Sequence, residues 1–549
     1  MKKSQRWTRT LLLAFLSAAY LVLFLRVLFP VYDEGIIVCG AKRIVEGEIP
    51  YRDFFECIAP GSFYLLAGWF KLLGISFKTV RISLLLTGIL SVILIDTISR
   101  KLFSSLPINE DNENNLKKKD FQKINSELQI FDFNYLPALY ALIFGIPFWV
   151  CASHHWDSNL FTFLTTFLFL RAIESGKSVH FFLVGITTAL TGAFMQQKGP
   201  ILLHSELFVL VIIWFRSKQN MRKNLISVAS LFGGFALVGI FIGVYFFLNN
   251  GLSDLIFNLV EFPITNYNHL NKVPYGFAFW EFLVPFWLDI ASILFPTPLA
   301  EMFTGIIISP LIFLSALPLL CLLLIFINYR YAKSGTLTNW NFLACLILGA
   351  ELWASEMQRR DYFHILFAAP LLFTAICYLL SSLREVFPKS LKAIKIFLIS
   401  SALLCGFFNA LPAFSVTHKV NSRQGIIRTS KVEPILDFLL KNCKENEEVF
   451  IYPYSPMLYF LGNVKNPTRY SVLTYGFHTD EQINEAISTL ERKKAHYILF
   501  NSSMDATWLK GTFLNYTPPP KEKQLIERFI EREYKLQSRC GDYRILVHR

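Results

Sequence analysis

Charge is scarce in this 549-residue chain. Asp, Glu, Lys and Arg make up 17% of it, against about 25% in soluble chains, and that deficit excludes an ordinary globular protein. No separate basic domain exists either. The net charge is +13, but the Lys and Arg residues punctuate apolar runs, as they do in the cytoplasmic loops of membrane proteins, so nucleic acid is not the expected partner. The nine cysteines contain no CxxC pair. Cys151, Cys321, Cys345, Cys377 and Cys405 lie in or beside apolar runs, where small hydrophobes are common. Cys39 with Cys57, and Cys443 with Cys540, are two pairings that spacing alone neither makes nor excludes. No small-residue cleavage site precedes Asp33, so the first apolar run, about Thr10 to Phe29 behind Lys2, Lys3, Arg6 and Arg9, reads as a signal anchor. What is plentiful is apolar: 53% hydrophobic residues, 54 of the residues being Phe.

A spanning helix needs about 20 apolar residues. Ten further candidates follow the first, at about 79–98, 134–151, 158–175, 179–196, 200–215, 224–248, 303–327, 340–357, 362–382 and 393–412. The count of about eleven puts the two chain ends on opposite sides, with the amino end in the cytoplasm. Basic residues agree with that direction. Arg100, Lys101 and Lys117 to Lys119, then Arg171 and Lys177, then Arg216 to Lys223, then Arg330 and Lys333, then Arg384 to Lys395 fall on one side, whereas Lys272 is the only basic residue between Asn249 and Met302. Ser62 to Leu73 is too short to span and carries Lys71, so it is expected to lie in the interface. Segment 99–132 is expected as a polar, disordered cytoplasmic loop, and 249–302 as a long aromatic outer loop. The fold class expected is thus an α-helical multi-span membrane domain over 1–414 followed by a soluble extracytoplasmic α/β domain over 415–549. In the latter, Val449 to Tyr452, His496 to Asn501 and Tyr543 to Val547 read as strands, and Val432 to Asn442, Thr479 to Lys494 and Glu522 to Tyr534 as helices. That domain has no Gly-rich phosphate loop and no metal-ligand spacing.

The first outer loop, 31–78, holds the most informative run, YDEGIIVCGAKRIVEGEIPYRDFFECIAPGSFYLLAGWFKLLG. Ile37, Ala41, Ile44 and Val45 recur at helical spacing, and Gly47 and Pro50 end the pattern. This predicts a short amphipathic interfacial helix, with Asp33 and Glu34 at its start and Lys42 and Arg43 facing head groups. Asp33 has two readings, a helix N-cap and a catalytic carboxylate, which are compatible.

The order DE, A-K-R-I, E-G-E-I-P-Y-R-D, a P-G turn, an apolar helix ending L-L-G and Arg81 opening the next span resembles the first outer loop of the GT-C glycosyltransferases, in particular the branch containing protein O-mannosyltransferases and lipid A aminoarabinose transferases. The resemblance implies a polyprenyl-phosphate-linked sugar donor, an extracytoplasmic active site in a cell (inner) membrane, and the acidic residue after the first span, here Asp33 with Glu34 beside it, as base or acceptor-positioning carboxylate. HHWDSN at 154–159 is similar to the second outer motif and offers Asp157, whose other reading is a helix N-cap. MQQKGP at 195–200 resembles the family's Lys-Gly turn and offers Lys198 to the donor phosphate. EMQRRDYFH at 356–364 offers Arg359, Arg360 and His364 to the same phosphate, with Lys42 and Arg43 as weaker candidates. Some relatives use a divalent cation and others do not; His154, His155 and Asp157 are the ligand types for one. His204, Glu206 and Glu351 stand inside apolar segments, where ionisable groups line cavities or pair with one another.

Transfer from such a donor needs a base, here Asp33, cations for the charge growing on the leaving phosphate and an apolar groove for the lipid. A single displacement inverts the anomeric centre. The enzyme expected is a hexosyl- or pentosyltransferase of envelope glycan synthesis acting on a lipid, glycan or protein acceptor. Two rival readings stand: a lipid-linked sugar transporter or flippase, against which no repeat joins the two halves, and a glycan polymerase or ligase, for which 249–302 is the large loop.

Overall fold

The computed structural model describes residues 3–25, 32–104, 106, 133–217, 221–277, 279–332, 338–429 and 433–549. Most of the expected cytoplasmic loop 99–132 therefore lies outside the described residues. Helices α1 (Lys3–Val22), α2 (Tyr32–Val45), α3 (Gly61–Leu73) and α4 (Phe77–Phe103) open the chain. Then come α5 (Leu136–Ile143), α6 (His154–Ser175), α7 (Ser178–Phe194), α8 (Lys198–Ser217) and α9 (Met221–Leu248). After irregular helical turns, α10 (Val284–Leu294), α11 (Thr297–Ser315), α12 (Leu317–Tyr331), α13 (Trp340–Glu356), α14 (Tyr362–Ser382) and α15 (Pro388–Ser415) complete the helical domain.

Among the described residues, six helices are long and apolar enough to cross a membrane: Phe77–Phe103, Lys198–Arg216, Met221–Leu248, Thr297–Ser315, Tyr362–Ser382 and Pro388–Leu411. The other expected spans fall on shorter or more polar helices. Two differ from expectation for a local reason. The run 134–151 is broken after eight residues of α5, where Gly145 and Pro147 give a turn and a short 3-10 segment. The run 303–327 is broken at Ala316, because Pro318 lacks the N–H that a continuous helix would use and starts α12 instead.

Packing follows the residue types. Almost every side chain of α14 is buried, so it is the centre of the bundle. At the periphery α9 faces outward with Phe241 73% and Phe247 66% exposed, as a lipid-facing helix does. It is held to α7 through glycines: a Cβ on Gly185 would stand 1.9 Å from the Leu231 carbonyl, and one on Gly234 2.0 Å from that of Phe182. Only hydrogen at those positions allows such backbone approach.

The carboxy-terminal domain begins with a hairpin of β1 (His418–Ser422) and β2 (Gly425–Thr429). Its main sheet holds β3 (Val449–Tyr452), β4 (Tyr497–Asn501), β5 (Tyr534–Cys540) and β6 (Tyr543–His548) in the order β3-β4-β6-β5. The β3–β4 pair is parallel and the others antiparallel. Helices α16 (Pro434–Asn442), α17 (Met457–Leu461), α18 (Asp480–Lys493), α19 (Ala506–Thr512) and α20 (Leu525–Glu533) accompany it. Thr479 caps α18 and shares a reciprocal capping box with Gln482. The three sequence-read strands and three helices are all present; β5 and the β1–β2 hairpin are additional.

The α2–α3 pair does not lie with one face free. It is clamped by the carboxy-terminal domain: Phe70 stacks on Phe460, the Phe55 N–H donates to the Arg469 carbonyl at 2.9 Å, and the Phe77 N–H to that of Gln424 at 2.8 Å. Ile36, Val38, Cys39 and even Lys42 are consequently buried. All nine cysteines are free thiols.

Candidate functional site

The acidic pair at the start of α2 is divided by helix geometry, since neighbours on a helix point about 100° apart. Glu34 is wholly buried. Its carboxylate pairs with Arg81, with Nη2 to Oε2 at 3.0 Å, and accepts the Ala152 N–H at 2.8 Å. It therefore ties the first loop to α4 and to the segment just before α6. Asp33 is exposed and accepts a hydrogen bond from the Tyr454 hydroxyl. The helix is already under way at Tyr32, so Asp33 sits in its first turn. Gly35 makes the meeting possible: a Cβ there would stand 2.3 Å from the Met457 nitrogen, so a glycine is needed to bring the Tyr454 loop over Asp33.

Three further groups surround Asp33. Glu56 is buried, and burial, opposed by a Ser471 hydrogen bond and by Arg43 and reinforced by the Asp33 charge, pushes its carboxyl up to about 8. The phenols of Tyr454 and Tyr267 are pushed well up by burial, in both cases with Asp33 adding to the effect. A sequence reading had singled out none of Glu56, Tyr454 and Tyr267. Glu56 stands inside the quoted first-loop run and Tyr267 inside the aromatic loop 249–302, whereas no local signal points to Tyr454, 421 residues from Asp33.

The basic candidates fall into distinct settings. Lys198 is 1% exposed. Its ammonium donates to Asn159 Oδ1 at 2.7 Å and Ser158 Oγ at 3.1 Å, and it pairs with Glu356 Oε1 at 2.7 Å. His155 Nδ1 lies 3.5 Å from the other Glu356 oxygen. The His155 ring stacks on Phe367 and meets His364 edge-on at 4.8 Å. His364 Nδ1 is 2.7 Å from Asp361, which also pairs with Arg359 Nε at 2.5 Å. Burial would raise Asp361; His364 first and Arg359 second hold it well below the usual carboxylate range. Arg359 is further committed to Asn271 Oδ1 at 2.8 Å and the Thr512 carbonyl at 2.9 Å. These contacts form one line of groups from Lys198 inside the bundle to the carboxy-terminal domain. Arg360 stands apart: it is exposed, and it pairs with no carboxylate among the described residues. Lys42 donates to Asn463 at 2.6 Å, and Arg43 holds Glu48 and the Asp53 carbonyl. Lys42 thus serves the seam between α2 and the carboxy-terminal domain, and Arg43 fixes the turn that follows α2 within the first loop.

Asp157 lies in the first turn of α6, whose N-cap is Ser153. It accepts from Ser62 at 2.7 Å and Thr87 at 3.4 Å, joining α6 to α3 and α4. Elsewhere among the spans, buried Glu206 is met by Thr188, and Glu351 is met by Ser205 and by an exposed His204. An apolar slot of about 40 Å³ opens between spans, lined by Gly88, Tyr140, Trp156, Phe163, Leu366 and Phe373, and it reaches Asn159.

His155, Glu356 and His364 offer donor atoms within 4.8 Å of one another. Two imidazoles and a carboxylate are zinc-type donors. Of the expected ligands His154, His155 and Asp157, only His155 belongs to this group; the His154 ring lies tilted against that of His155, 4.2 Å between centroids, and Asp157 turns to Ser62. The charge balance opposes a cation, however. Lys198 already neutralises the single carboxylate, and a divalent ion beside it would leave two buried positive charges without partners. The donors fit an ion in type and do not fit it in charge while Lys198 is present.

These features, apolar helices around a buried centre, two short helices after the first helix and a small α/β domain closing over them, are those of the GT-C-like fold, and the chain is a multi-pass membrane protein of that fold. It resembles an oligosaccharyltransferase from Archaeoglobus fulgidus, determined in complex with Zn and sulfate, with a TM-score of 0.51 at 13% identity over 91% of this chain and 69% of that one. It also resembles ArnT from Cupriavidus metallidurans, determined bound to undecaprenyl phosphate, with a TM-score of 0.50 at 10% identity over 99% of this chain and 97% of that one. No protein-family model matches the sequence, and no curated protein matches it.

Proposed function

We propose that the chain is a membrane glycosyltransferase that moves a sugar from a polyprenyl-phosphate donor to an acceptor hydroxyl at the extracytoplasmic face, with Asp33 as base. The observation that carries this reading is the division of the acidic pair: Glu34 is consumed by Arg81, and Asp33 is left open beneath Tyr454 where the first loop meets the carboxy-terminal domain. The GT-C-like fold agrees with it.

In this reading Asp33 takes the proton of the acceptor hydroxyl as its oxygen attacks the anomeric carbon, and the polyprenyl phosphate leaves from the opposite face, inverting that centre. Glu56 holds its proton near neutral pH and does not compete as a base; protonated, it can donate a hydrogen bond. Arg360 is the cation available for the leaving phosphate. Lys198 and Arg359 act behind it, their charges already paired, with His364 bonded to Asp361. The apolar slot beside Asn159 suits a segment of the lipid. No step requires a metal.

The test uses the full chain in lipid nanodiscs with labelled polyprenyl-phosphate sugars, separating transfer, hydrolysis and translocation. Asp33→Asn is expected to abolish transfer while the protein remains folded. Full transfer by that variant would remove Asp33 from the mechanism, and translocation without transfer by the unaltered protein would replace the enzyme with a flippase.

A further inference from the structure

The carboxy-terminal domain carries a cleft of about 580 Å³ that the proposed transfer step does not use. That volume lies within the range of about 300–1,000 Å³ usual for small-molecule sites. It opens at the carboxyl ends of β3 and β4, the parallel pair of the sheet, which is where α/β sheets place ligands. Five aromatic residues line it, Tyr452, Tyr475, Phe500, Tyr516 and Tyr534.

Six charged residues line the same space, Asp505, Glu527, Glu531, Lys535, Arg544 and Arg549, and Glu527 and Arg544 stand against its aromatic rings. The Glu527 carboxylate accepts from Tyr452 at 2.6 Å and from Tyr475 at 2.8 Å, one bond to each oxygen. Each oxygen retains a lone pair for another donor. Arg544 lies on Phe500, its guanidinium carbon 4.0 Å from the ring centroid, and its Nε is buried with no hydrogen-bond partner among the described residues. A ligand with apolar C–H faces for the rings and many hydroxyls for a carboxylate and a guanidinium is a sugar. The cleft also adjoins Asp33. Pro453 lines it, and the next residue, Tyr454, donates to Asp33. Helix α19 turns Ala506 and Leu509 into it, while the Trp508 ring lies tilted beside that of Tyr454, 6.1 Å between centroids.

We propose that this cleft binds a saccharide unit of the acceptor, so that the acceptor is a glycan whose growing end reaches Asp33 across the Pro453–Tyr454 segment. This rests on the glycosyltransferase reading for the word acceptor; the binding itself does not. The experiment presents labelled trisaccharides of glucose, mannose, galactose and N-acetylglucosamine to the full chain in nanodiscs and measures binding by fluorescence polarisation. At least one is expected to bind, and Glu527→Gln and Arg544→Gln are each expected to weaken it about tenfold, the size of a lost hydrogen bond to a charged group. Hydrolysis of the lipid-linked donor should be unchanged in both variants, which also reports that they fold. No binding by the unaltered chain, or equal binding by both variants, overturns the site. Saccharide binding that persists beside full transfer by Asp33→Asn would instead leave the cleft standing and sink the reading of Asp33.

Discussion

Glu56 supplies a prediction whose size follows from its surroundings. It sits in the first loop, 8% exposed, and burial moves its carboxyl from 4.5 to about 8. Below pH 4.5 the folded and unfolded chains both hold this proton. Between 4.5 and about 8 the folded chain binds it and the unfolded chain releases it, so stability falls as pH rises. Above 8 both have released it, and the loss is complete. Each pH unit in that window costs about 1.4 kcal/mol, and the whole window costs on the order of 5 kcal/mol. Glu56→Gln keeps the shape and the Ser471 contact without the titration. In detergent, the melting temperatures of the two proteins should match most closely near pH 5, and the variant should gain steadily on the native chain up to pH 8. Parallel curves across that range would refute the reasoning, because Glu56 would then be ionised in the folded state with a partner that the geometry does not supply.

Other substitutions probe the same architecture. Glu34→Gln leaves Arg81 buried and uncompensated, a loss of about 3–5 kcal/mol; thermal melting should show it, and adding Arg81→Met should recover a part, whereas a single variant as stable as the native chain would deny Glu34 its structural role. Lys198→Met removes the ammonium that balances Glu356, so the variant should retain zinc through gel filtration where the native chain does not, as metal analysis would read; zinc in neither would sink the charge argument. Gly35→Val collides with the Met457 backbone and should loosen the carboxy-terminal domain, visible as faster proteolysis between the helical domain and β3, and unchanged cleavage would count against that close approach.

Much of the architecture was legible because the bilayer imposes its own pattern. Apolar runs of spanning length and the placement of Lys and Arg gave the helical domain, and alternation after Pro412 gave β3, β4 and β6. What escaped the sequence depends on turns and on distance. The break at Ala316 required weighing Pro318 against an otherwise continuous apolar run. The spacing in α2 gives the helix, but a single stripe cannot reveal that a second surface arrives from residues about 400 positions later and buries the other face as well. That arrival buries Lys42 against Asn463 and removes it from the head groups. Similarly, Lys198 and Arg359 had the right residue types for phosphate, and only the fold shows Glu356 and Asp361 holding them.

The paired charges change what the cations can do. A phosphate carrying negative charge is stabilised by a cation free to meet it, and one already neutralised by a buried carboxylate gives little unless that pair opens, which costs several kcal/mol. Lys198 and Arg359 are both in that condition, whereas Arg360 is not. The line from Lys198 through Glu356, His155, His364 and Asp361 to Arg359 is better suited to fix geometry. Arg359 is bonded to the Thr512 carbonyl of α19, and the same helix places Trp508 beside Tyr454, which donates to Asp33. Opening of Arg359 would therefore loosen α19, and with it the residue that orients the proposed base. This predicts that Arg359→Lys, which keeps the charge but loses the forked contact to Asp361, Asn271 and Thr512, lowers transfer through kcat with little change in donor KM, whereas Arg360→Ala raises donor KM. The reverse pattern would assign the phosphate to Arg359 and return Arg360 to the surface.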